Sequence, residues 1–589
     1  MQLTTLDWLV MALYGLVALS LGLWFARRAG SGAEEFFLSG RKLSWWLLGT
    51  SMVATTFSTD TPNLIADFVR GGGVAQNWSW WCFLITGMCT VFFYAKLWRR
   101  SEALTDIEFY ELRYSGRPAA FLRGFRAVYL GVFYNVMIIA TVTLAATKIS
   151  GVLLGLSPLT TVLIAGSVTM LYSATSGLWG VVVTDLVLFV VAMVGSIAAA
   201  YYSLQQPEVG GLAGLVSHPD LQSAMRFFPD FSDWSVAAGV FIVPIAVQWW
   251  SAWYPGSEPG GGGYVAQRML AAKDEKDSMK ATLWFNIAHY GLRPWPWIIV
   301  ALCSMLVYPD LGSIAEAFPH VDPGLIGNDL AYPAMLVFLP HGLLGLVVAS
   351  LAAAYMSTIS TQLNWGSSYV VGDVYHRFVN PEADDKRLVL VGRVSTVLLM
   401  VFGAYVALVL DTAGQGFQIL LQIGAGTGLI YLLRWFWYRI NVWSELSAMV
   451  ISFLVAIYFA WFHEALGFEP LSNWQALVTG VLVTTVVWLT TTLVTAPEDR
   501  DTLQRFYDKI RPLGKGWRHV VDVGPGHGEE SVTAAFLAWF LGCILVYAAM
   551  FAPGYLLYGQ TVLAAFSATV ALGAGVWLFR LLPKVGFTD

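Results

Sequence analysis

The chain has 589 residues, of which 57% are hydrophobic and only 12% are charged, and its mean hydropathy is +0.63. This composition excludes a water-soluble globular protein, because the apolar surface is too large to be hidden in a core, and it indicates an integral membrane protein. The net charge of -5 indicates no nucleic-acid partner, since we expect the charges to be divided between two membrane faces.

Uncharged stretches of about 18 to 25 residues, the length that crosses ~30 Å of hydrocarbon, predict about fifteen membrane spans. In chain order they lie near 6–26, 45–69, 77–98, 125–148, 159–176, 178–202, 236–254, 281–307, 341–375, 388–411, 415–438, 442–465, 473–495, 533–553 and 560–582. The four cysteines fall within these spans and lack ligand spacing, so we expect neither a disulfide nor a transition-metal centre.

The basic residues predict an orientation for these spans. All Lys and Arg residues except Arg70, Lys148, Arg226 and Arg293 lie in segments that are cytoplasmic if the amino terminus is outside. The positive-inside rule therefore predicts an external amino terminus and, after an odd number of spans, a cytoplasmic carboxyl terminus.

Two spans carry interruptions at membrane depth. The second span contains the run STDTPN at 58–63, and the seventh contains Pro244 followed by Gln248 and Trp249. Proline removes a backbone donor and breaks the helix, and broken backbone is tolerated in a membrane only around a cavity. Two broken helices in corresponding halves predict an inverted-repeat secondary transporter that binds substrate and coupling ion near the midplane.

The positions of the breaks divide the chain. If the first span is an extra helix, the broken helices are the first and sixth of a ten-helix, five-plus-five core. We therefore predict an extra amino-terminal helix and cytoplasmic loop (1–44), a transport core (45–440) and carboxyl-terminal helices (441–589). Within the last part, the polar segment 496–532 is predicted to lie in the cytoplasm and to contain a short amphipathic helix.

The span between Gly345 and Gly372 places a cluster of hydroxyls in hydrocarbon, where each needs a partner. Sodium requires about five or six hard oxygens, which a helix supplies by combining hydroxyls with carbonyls. Ser357 and Thr358, with the carbonyl of Ala354 one turn earlier, form such a set on one helix face. The alternative is that these hydroxyls bond back to their own helix, as is common in membrane helices.

Several motifs resemble the sodium/solute symporter family in their order and spacing. They are FFLSGRKLSWW after the first span, the pair Thr184-Asp185, QRMLAAKDEKDSMKA, and AAAYMSTISTQLN followed by SSYVVGDVYHRF. The resemblance spans roughly residues 1 to 440. It implies an all-α LeuT-type fold and sodium-driven solute uptake, with sodium as the coupling ion and no organic cofactor.

The resemblance also implies roles for individual residues. The backbone carbonyls of Thr56 and Thr59 would complete the sodium site on the hydroxyl-bearing helix. Asp185 would lie on the intracellular release route for sodium. In some family members the corresponding acid, with hydroxyls that match Ser357, Ser360 and Thr361, holds a further sodium ion. The alternative for Asp185 is a helix-end carboxylate that accepts a hydrogen bond from a neighbouring hydroxyl.

Candidate substrate-binding residues lie near the breaks. Asp60 is positioned to bind substrate, to complete an ion site or to cap the second half-helix. Arg293 is placed to attract an anionic substrate or to pair with a carboxylate such as Asp60 or Glu258, and His289 lies one turn before it. The further candidates are Asn63, Gln248, Trp249, Gln418 and Gln422. Trp249 is suited to stacking on a sugar ring, or to packing and the interfacial belt.

These observations predict a sodium-coupled symporter that imports a small polar organic solute, such as a sugar, amino acid or carboxylate, by alternating access. We expect a multi-pass protein of the plasma membrane, of the bacterial inner-membrane type, with one chain as the functional unit. A proton-coupled symporter of the same fold and a transporter-fold nutrient sensor remain as alternatives. An enzyme is not expected, because the chain carries no HExxH, GxSxG or phosphate-binding loop.

Overall fold

The structure is a computed structural model that describes residues 3–26, 41–103, 105–173, 178–252, 259–514, 516–522 and 531–587. Across these ranges the regular structure is helical, and the one β-type pairing is an isolated parallel bridge between Leu43 and Ala272. The prediction of an all-α protein is confirmed for the described part of the chain.

The helices are numbered here in chain order. The first half of the chain forms α1 (Thr5–Ala26), α2 (Trp45–Thr55), α3 (Asp60–Gly72), α4 (Val74–Ser101), α5 (Gly116–Leu154), α6 (Pro158–Ser173), α7 (Leu178–Leu204) and α8 (Trp234–Ala246). The second half forms α9 (Gly263–Leu270), α10 (Glu275–Val307), α11 (Leu343–Val379), α12 (Asp385–Ala407), α13 (Ala413–Leu433), α14 (Val442–Phe462), α15 (Asn473–Val494), α16 (Arg500–Ile510), α17 (Val532–Leu557) and α18 (Thr561–Leu581). Short helices in the connections include Phe109–Arg113, Gly211–Ser217, Gln248–Trp250, Leu311–Ala317, Asn328–Leu330 and Ala331–Leu336.

Among the described residues, 11 helices are long and apolar enough to cross a membrane: α4, α5, α7, α10 to α15, α17 and α18. The other predicted spans fall on α1 and α6, whose apolar stretches are shorter, and on the two interrupted helices. The number fifteen and the orientation of the termini stay predictions.

The outer surface of the helix bundle is apolar. On α18, for example, Val562 is 81%, Leu572 71% and Phe579 75% exposed. An apolar surface of this extent is stable against hydrocarbon but not against water, so the helices must lie in a bilayer.

Both predicted interruptions are confirmed. The second span, which is the predicted first core helix, is divided into α2, which ends at Thr55, and α3, which begins at Asp60. Pro62 lies in the first turn of α3, where its missing N–H removes no helical hydrogen bond. The seventh span ends as α8 at Ala246, two residues after Pro244; beyond the short helix Gln248–Trp250, the next helix among the described residues is α9, which begins at Gly263. Residues 253–258 of this connection lie outside the described residues.

The second break packs on α13 through bare backbone. A Cβ atom added at Gly424 would lie 1.6 Å from the carbonyl oxygen of Ala252, and one added at Gly428 would lie 1.6 Å from that of Trp250. The amide of Ala252 also donates to the carbonyl of Gly424 at 3.3 Å. This approach requires positions without side chains, which is why two glycines spaced four apart occur here.

The amphipathic helix α16 packs against the last turns of α4 and the short helix Phe109–Arg113. Its buried face carries Leu503, Phe506 and Ile510. The three-part division of the chain stays a prediction, and residues 27–40 of the first loop and residues 515 and 523–530 of the segment 496–532 lie outside the described residues.

Candidate functional site

The first break lies at the centre of the candidate site. The half-helix α2 packs against α7, α10 and α11. In the break, the hydroxyl of Thr56 donates to the carbonyls of Met52 and Val53, each at 2.8 Å, and that of Thr59 donates to the carbonyl of Val142 at 2.8 Å. The predicted role of ion ligand belongs to the backbone carbonyls of these two threonines, whose hydroxyl protons are used within the fold.

The hydroxyls of α11 differ in their partners. Ser360 donates to the carbonyl of Ser357 on its own helix at 3.2 Å, whereas Ser357 donates to Asp185 at 3.2 Å. Thr358 is 1% exposed, and its hydroxyl has no hydrogen-bond partner among the residues that the structure describes. Thr361 is partly buried on the same helix.

The unpartnered hydroxyl of Thr358 is informative because a buried polar group without a partner costs about 1–3 kcal/mol. The alternative interpretation, that hydroxyls bond back to their own helix, holds for Ser360 but not for Thr358. A hard cation would give the lone pairs of this hydroxyl a partner, so the chemistry of the residues present is compatible with a sodium ion.

Asp185 forms the centre of a buried cluster between α2, α7 and α11. Its carboxylate, in a side chain that is 1% exposed, accepts hydrogen bonds from Ser51 at 2.7 Å, from Thr55 at 3.3 Å and from Ser357 at 3.2 Å. Ser51 and Thr55 are four residues apart on α2 and so share a face. The predicted proximity of Asp185 and Ser357 is therefore observed, as is the alternative in which hydroxyls satisfy the carboxylate.

Arg268 completes this cluster from α9. Its side chain is 1% exposed, and it donates from Nε to Ser51 at 3.4 Å and from Nη2 to Thr55 at 3.2 Å. The guanidinium and the carboxylate of Asp185 are thus joined through two shared hydroxyls.

A chamber of about 40 Å³ adjoins the first break. It is lined by Thr56, Ser58, Asp60, Thr61, Leu64, Ile65, Trp80, His289 and Arg293. Three predicted residues, Asp60, His289 and Arg293, therefore face one space. Arg293 also donates to the carbonyl of Val53 at 3.1 Å, and the hydroxyl of Ser58 is buried without a partner among the described residues.

The other substrate candidates do not line this chamber. Gln248 donates to the carbonyl of Ser79 at 2.6 Å, and Trp249 packs against Trp250 and Trp539. Asn63 is buried on α3, and neither atom of its amide group has a partner in the described part of the chain. Gln418 and Gln422 lie partly buried on α13, which packs against α3. Their roles stay predictions.

Three residues of the site, Ser51, Thr55 and Arg268, were not predicted from the sequence, whereas Trp80 is one of several tryptophans that the sequence suggests for stacking on a sugar ring. The four-residue spacing of Ser51 and Thr55 just before a predicted break was an available signal. Arg268 was assigned to a cytoplasmic loop because it follows the apolar run of the seventh span. The structure instead buries it on α9, the half-helix beyond the break.

Comparison with known proteins assigns the chain to a family. The profile of the sodium:solute symporter family matches residues 36–452. Because this match covers more than half of the chain, the protein belongs to that family, and it is a multi-pass integral membrane transporter.

Individual relatives match most of the chain in sequence. The sodium/glucose cotransporter of Vibrio parahaemolyticus is 27% identical over 515 residues, which cover 85% of this chain and 92% of the relative. The sodium/mannose cotransporter of Bos taurus is 24% identical, covering 77% and 79%. The sodium/myo-inositol cotransporter 2 of Oryctolagus cuniculus is 26% identical, covering 84% and 78%.

Among solved structures, a Na⁺-coupled sialic acid symporter in a substrate-bound, outward-open state superimposes with a TM-score of 0.64. It is 18% identical and covers 84% of this chain and 99% of its own. This likeness shows that the two chains share a fold.

Proposed function

We propose that this protein is a sodium-coupled symporter that imports a small hydroxyl-rich solute by alternating access, with an external amino terminus and fifteen spans. The observation that carries the proposal is the buried, unpartnered hydroxyl of Thr358 on α11, a helix that packs against the interrupted first core helix. Family membership supports sodium as the ion that this hydroxyl binds.

The proposed ion site combines two elements. The carbonyls of Thr56 and Thr59 contribute from the break, and α11 contributes the carbonyl of Ala354 with the hydroxyls of Ser357 and Thr358. An ion held by both elements favours the arrangement in which they are close. Its entry also supplies energy, because a membrane potential of 100 mV is worth ~2.3 kcal/mol per charge.

The proposed substrate site is the space beside the first break, where the chamber of about 40 Å³ is smaller than a sugar and must widen as the helices rearrange during alternating access. A carboxylate and a guanidinium, from Asp60 and Arg293, are strong partners for the hydroxyls of a polyol, and the ring of Trp80 offers a flat apolar face to a sugar or cyclitol. The names of the relatives, which are cotransporters of glucose, mannose and myo-inositol, support this class. Asp60 lies in the first turn of α3, where it also stabilises the helix amino terminus.

Residues 45–440 are proposed as the transport core, and the helices after 440 as an accessory part that packs on it. One chain contains both broken helices and all the proposed ligands, so the functional unit is proposed to be a single chain.

The test is sodium-dependent uptake by proteoliposomes. A screen of sugars, cyclitols, amino acids and carboxylates by thermal shift, with and without sodium, first identifies a transported solute. In Thr358→Ala, loss of one ion ligand should raise the sodium concentration for half-maximal uptake about tenfold or more.

Ser350→Ala is the matched control, because Ser350 is buried on the same helix and its hydroxyl already donates to the carbonyl of Val347 at 2.9 Å. It should leave sodium dependence unchanged. Equal accumulation in potassium-only buffer, or an unaltered sodium requirement in Thr358→Ala, would refute the proposed coupling.

A further inference from the structure

Arg268 is a buried cation that shares two hydroxyl partners with Asp185, the carboxylate on the proposed sodium release route. It approaches Asp185 from α9, whereas the carboxylate belongs to α7 and is also bonded to α11 through Ser357. Between the two charges lie the hydroxyls of Ser51 and Thr55, both on α2.

The direction of these hydrogen bonds matters. Each hydroxyl gives its single proton to Asp185 and accepts from Arg268 with a lone pair. A metal cation beside Asp185 would need the same carboxylate and the same hydroxyl lone pairs. The guanidinium and a sodium ion therefore compete for one set of oxygens.

The charges of Asp185 and Arg268 need each other or another counter-charge, because a buried ionised group without a neutralising partner costs several kcal/mol. Arg268 has secondary acceptors on its own helix, the carbonyl of Tyr264 at 3.4 Å and Oε1 of Gln267 at 3.1 Å. Its guanidinium also lies over the ring of Tyr264, at 5.5 Å. These contacts would hold the arginine when a cation displaces it from the hydroxyls.

We propose that Arg268 is a positioning residue that acts as a tethered cation: it neutralises Asp185 when sodium is absent and withdraws when sodium binds there. The inference rests on the proposed sodium coupling. Because α9 is the inner half of the second broken helix, the position of that half-helix becomes linked to sodium occupancy at Asp185. The empty transporter keeps a neutral interior, so its return needs no ion.

The experiment uses sodium alone as the probe, because it needs no identified solute. The full-length protein is titrated with NaCl against KCl at constant ionic strength, and the sodium midpoint is read from thermal stability. In Arg268→Gln the competitor is lost, so the midpoint should fall about tenfold. Arg268→Lys keeps the charge but reaches the hydroxyls less well, so its midpoint should lie between those of Arg268→Gln and the wild type.

Arg226→Gln is the control, since Arg226 is exposed in an outer connection and should leave the midpoint unchanged. A purely structural role for Arg268 predicts a lower melting temperature with no gain in sodium affinity. An unchanged or higher midpoint in Arg268→Gln overturns the proposal. If that variant does not fold, a midpoint of Arg268→Lys at or above the wild-type value overturns it.

The outcomes separate this inference from the proposed function. If the wild type shows no sodium-specific stabilisation, sodium coupling itself fails, and the inference fails with it. If the wild type responds and Thr358→Ala weakens the response while Arg268→Gln does not strengthen it, only the role of Arg268 is refuted.

Discussion

Each half of the interrupted first core helix lies beside a buried pair of opposite charges, and the two pairs differ in how the charges contact each other. On α2, Asp185 and Arg268 are separated by two hydroxyls. Beside α3, Lys148 donates directly to Asp329 at 2.6 Å and to the carbonyl of Asp411 at 2.7 Å, and the side chains of the lysine and its partner are both 0% exposed. Asp67 of α3 lies near this pair, with its carboxylate against Gly414.

The two clusters are built for different roles. A direct buried ion pair leaves no room for an ion and joins α5 to the connection that precedes α11, against which α3 packs. A pair bridged by hydroxyls offers oxygens that a small cation is able to bind in place of the arginine. We therefore interpret the cluster at α3 as a fixed structural contact, and the proposed role of the cluster at α2 is exchange of the arginine for a cation.

The largest effect is expected from breaking the fixed contact between Lys148 and Asp329. Lys148→Met removes the cation and leaves the carboxylate of Asp329 buried without it, which should cost about 3–5 kcal/mol of unfolding free energy. Thermal or denaturant unfolding in detergent measures this loss. Removing both charges, in Lys148→Met with Asp329→Leu, should restore most of the stability. A single variant that loses less than about 1 kcal/mol, the value of an exposed pair, would show that the buried pair is not a strong contact.

A smaller effect is expected at the bridged cluster. Ser51→Ala removes a 2.7 Å hydrogen bond to a carboxylate, which should cost about 1.5–3 kcal/mol. Thr55→Val removes the longer bond, at 3.3 Å, keeps the side-chain shape and should cost less. The two variants alter the same helix face, and unfolding experiments show which of them loses more unfolding free energy. If the valine variant is the less stable of the two, the distances do not report the strength of these bonds.

The smallest effect is expected at an exposed carboxylate outside both clusters. Asp499 caps α16, where it accepts from the amide of Thr502 at 2.9 Å and from the hydroxyl of Thr502 at 2.8 Å. These bonds, and one from Ser115, hold the pKa of Asp499 below its usual value of 3.8. A lowered pKa in the folded state means that the stabilisation is complete above the unfolded pKa and is lost as the pH falls through the folded pKa.

Asp499→Asn should therefore cost about 0.5–1 kcal/mol at neutral pH, as loss of a helix cap does, and should flatten the loss of stability below about pH 4. Unfolding measured from pH 2 to 7 checks both points. Asp501→Asn, two residues further along, is the control, because the amide and the hydroxyl of Thr502 donate to Asp499 and not to this carboxylate. An equal response of the two variants would contradict the capping role.

Features with a local cause were predicted from the sequence. The interruptions follow from Pro62 and Pro244 in otherwise apolar runs, so they needed no knowledge of neighbouring helices. The hydroxyl set of α11 follows from helical spacing within one motif. The proximity of Ser357 and Asp185 was implied by the family resemblance, and the structure places the two side chains together.

Features that depend on how distant helices meet were not predicted. Arg268 and Ser51 are 217 residues apart in the chain, and no periodicity within either segment indicates their contact. Gln248 was predicted near substrate because it follows Pro244, but the direction of its side chain depends on α4, whose backbone it contacts at Ser79. The sequence indicates that a polar residue in an apolar segment needs a hydrogen-bond partner, but it does not indicate which residue of a distant helix is that partner.

The contact of the second break with Gly424 and Gly428 has a mechanical consequence. The two carbonyl oxygens lie where only a residue without a side chain leaves room, and the amide of Ala252 donates to the carbonyl of Gly424. Displacement along α13 would bring these oxygens onto neighbouring positions that carry a Cβ atom, such as Ala425 and Thr427. We therefore expect the segment around Trp250 and Ala252 to keep this register and to move together with α13 when the sixth core helix changes position.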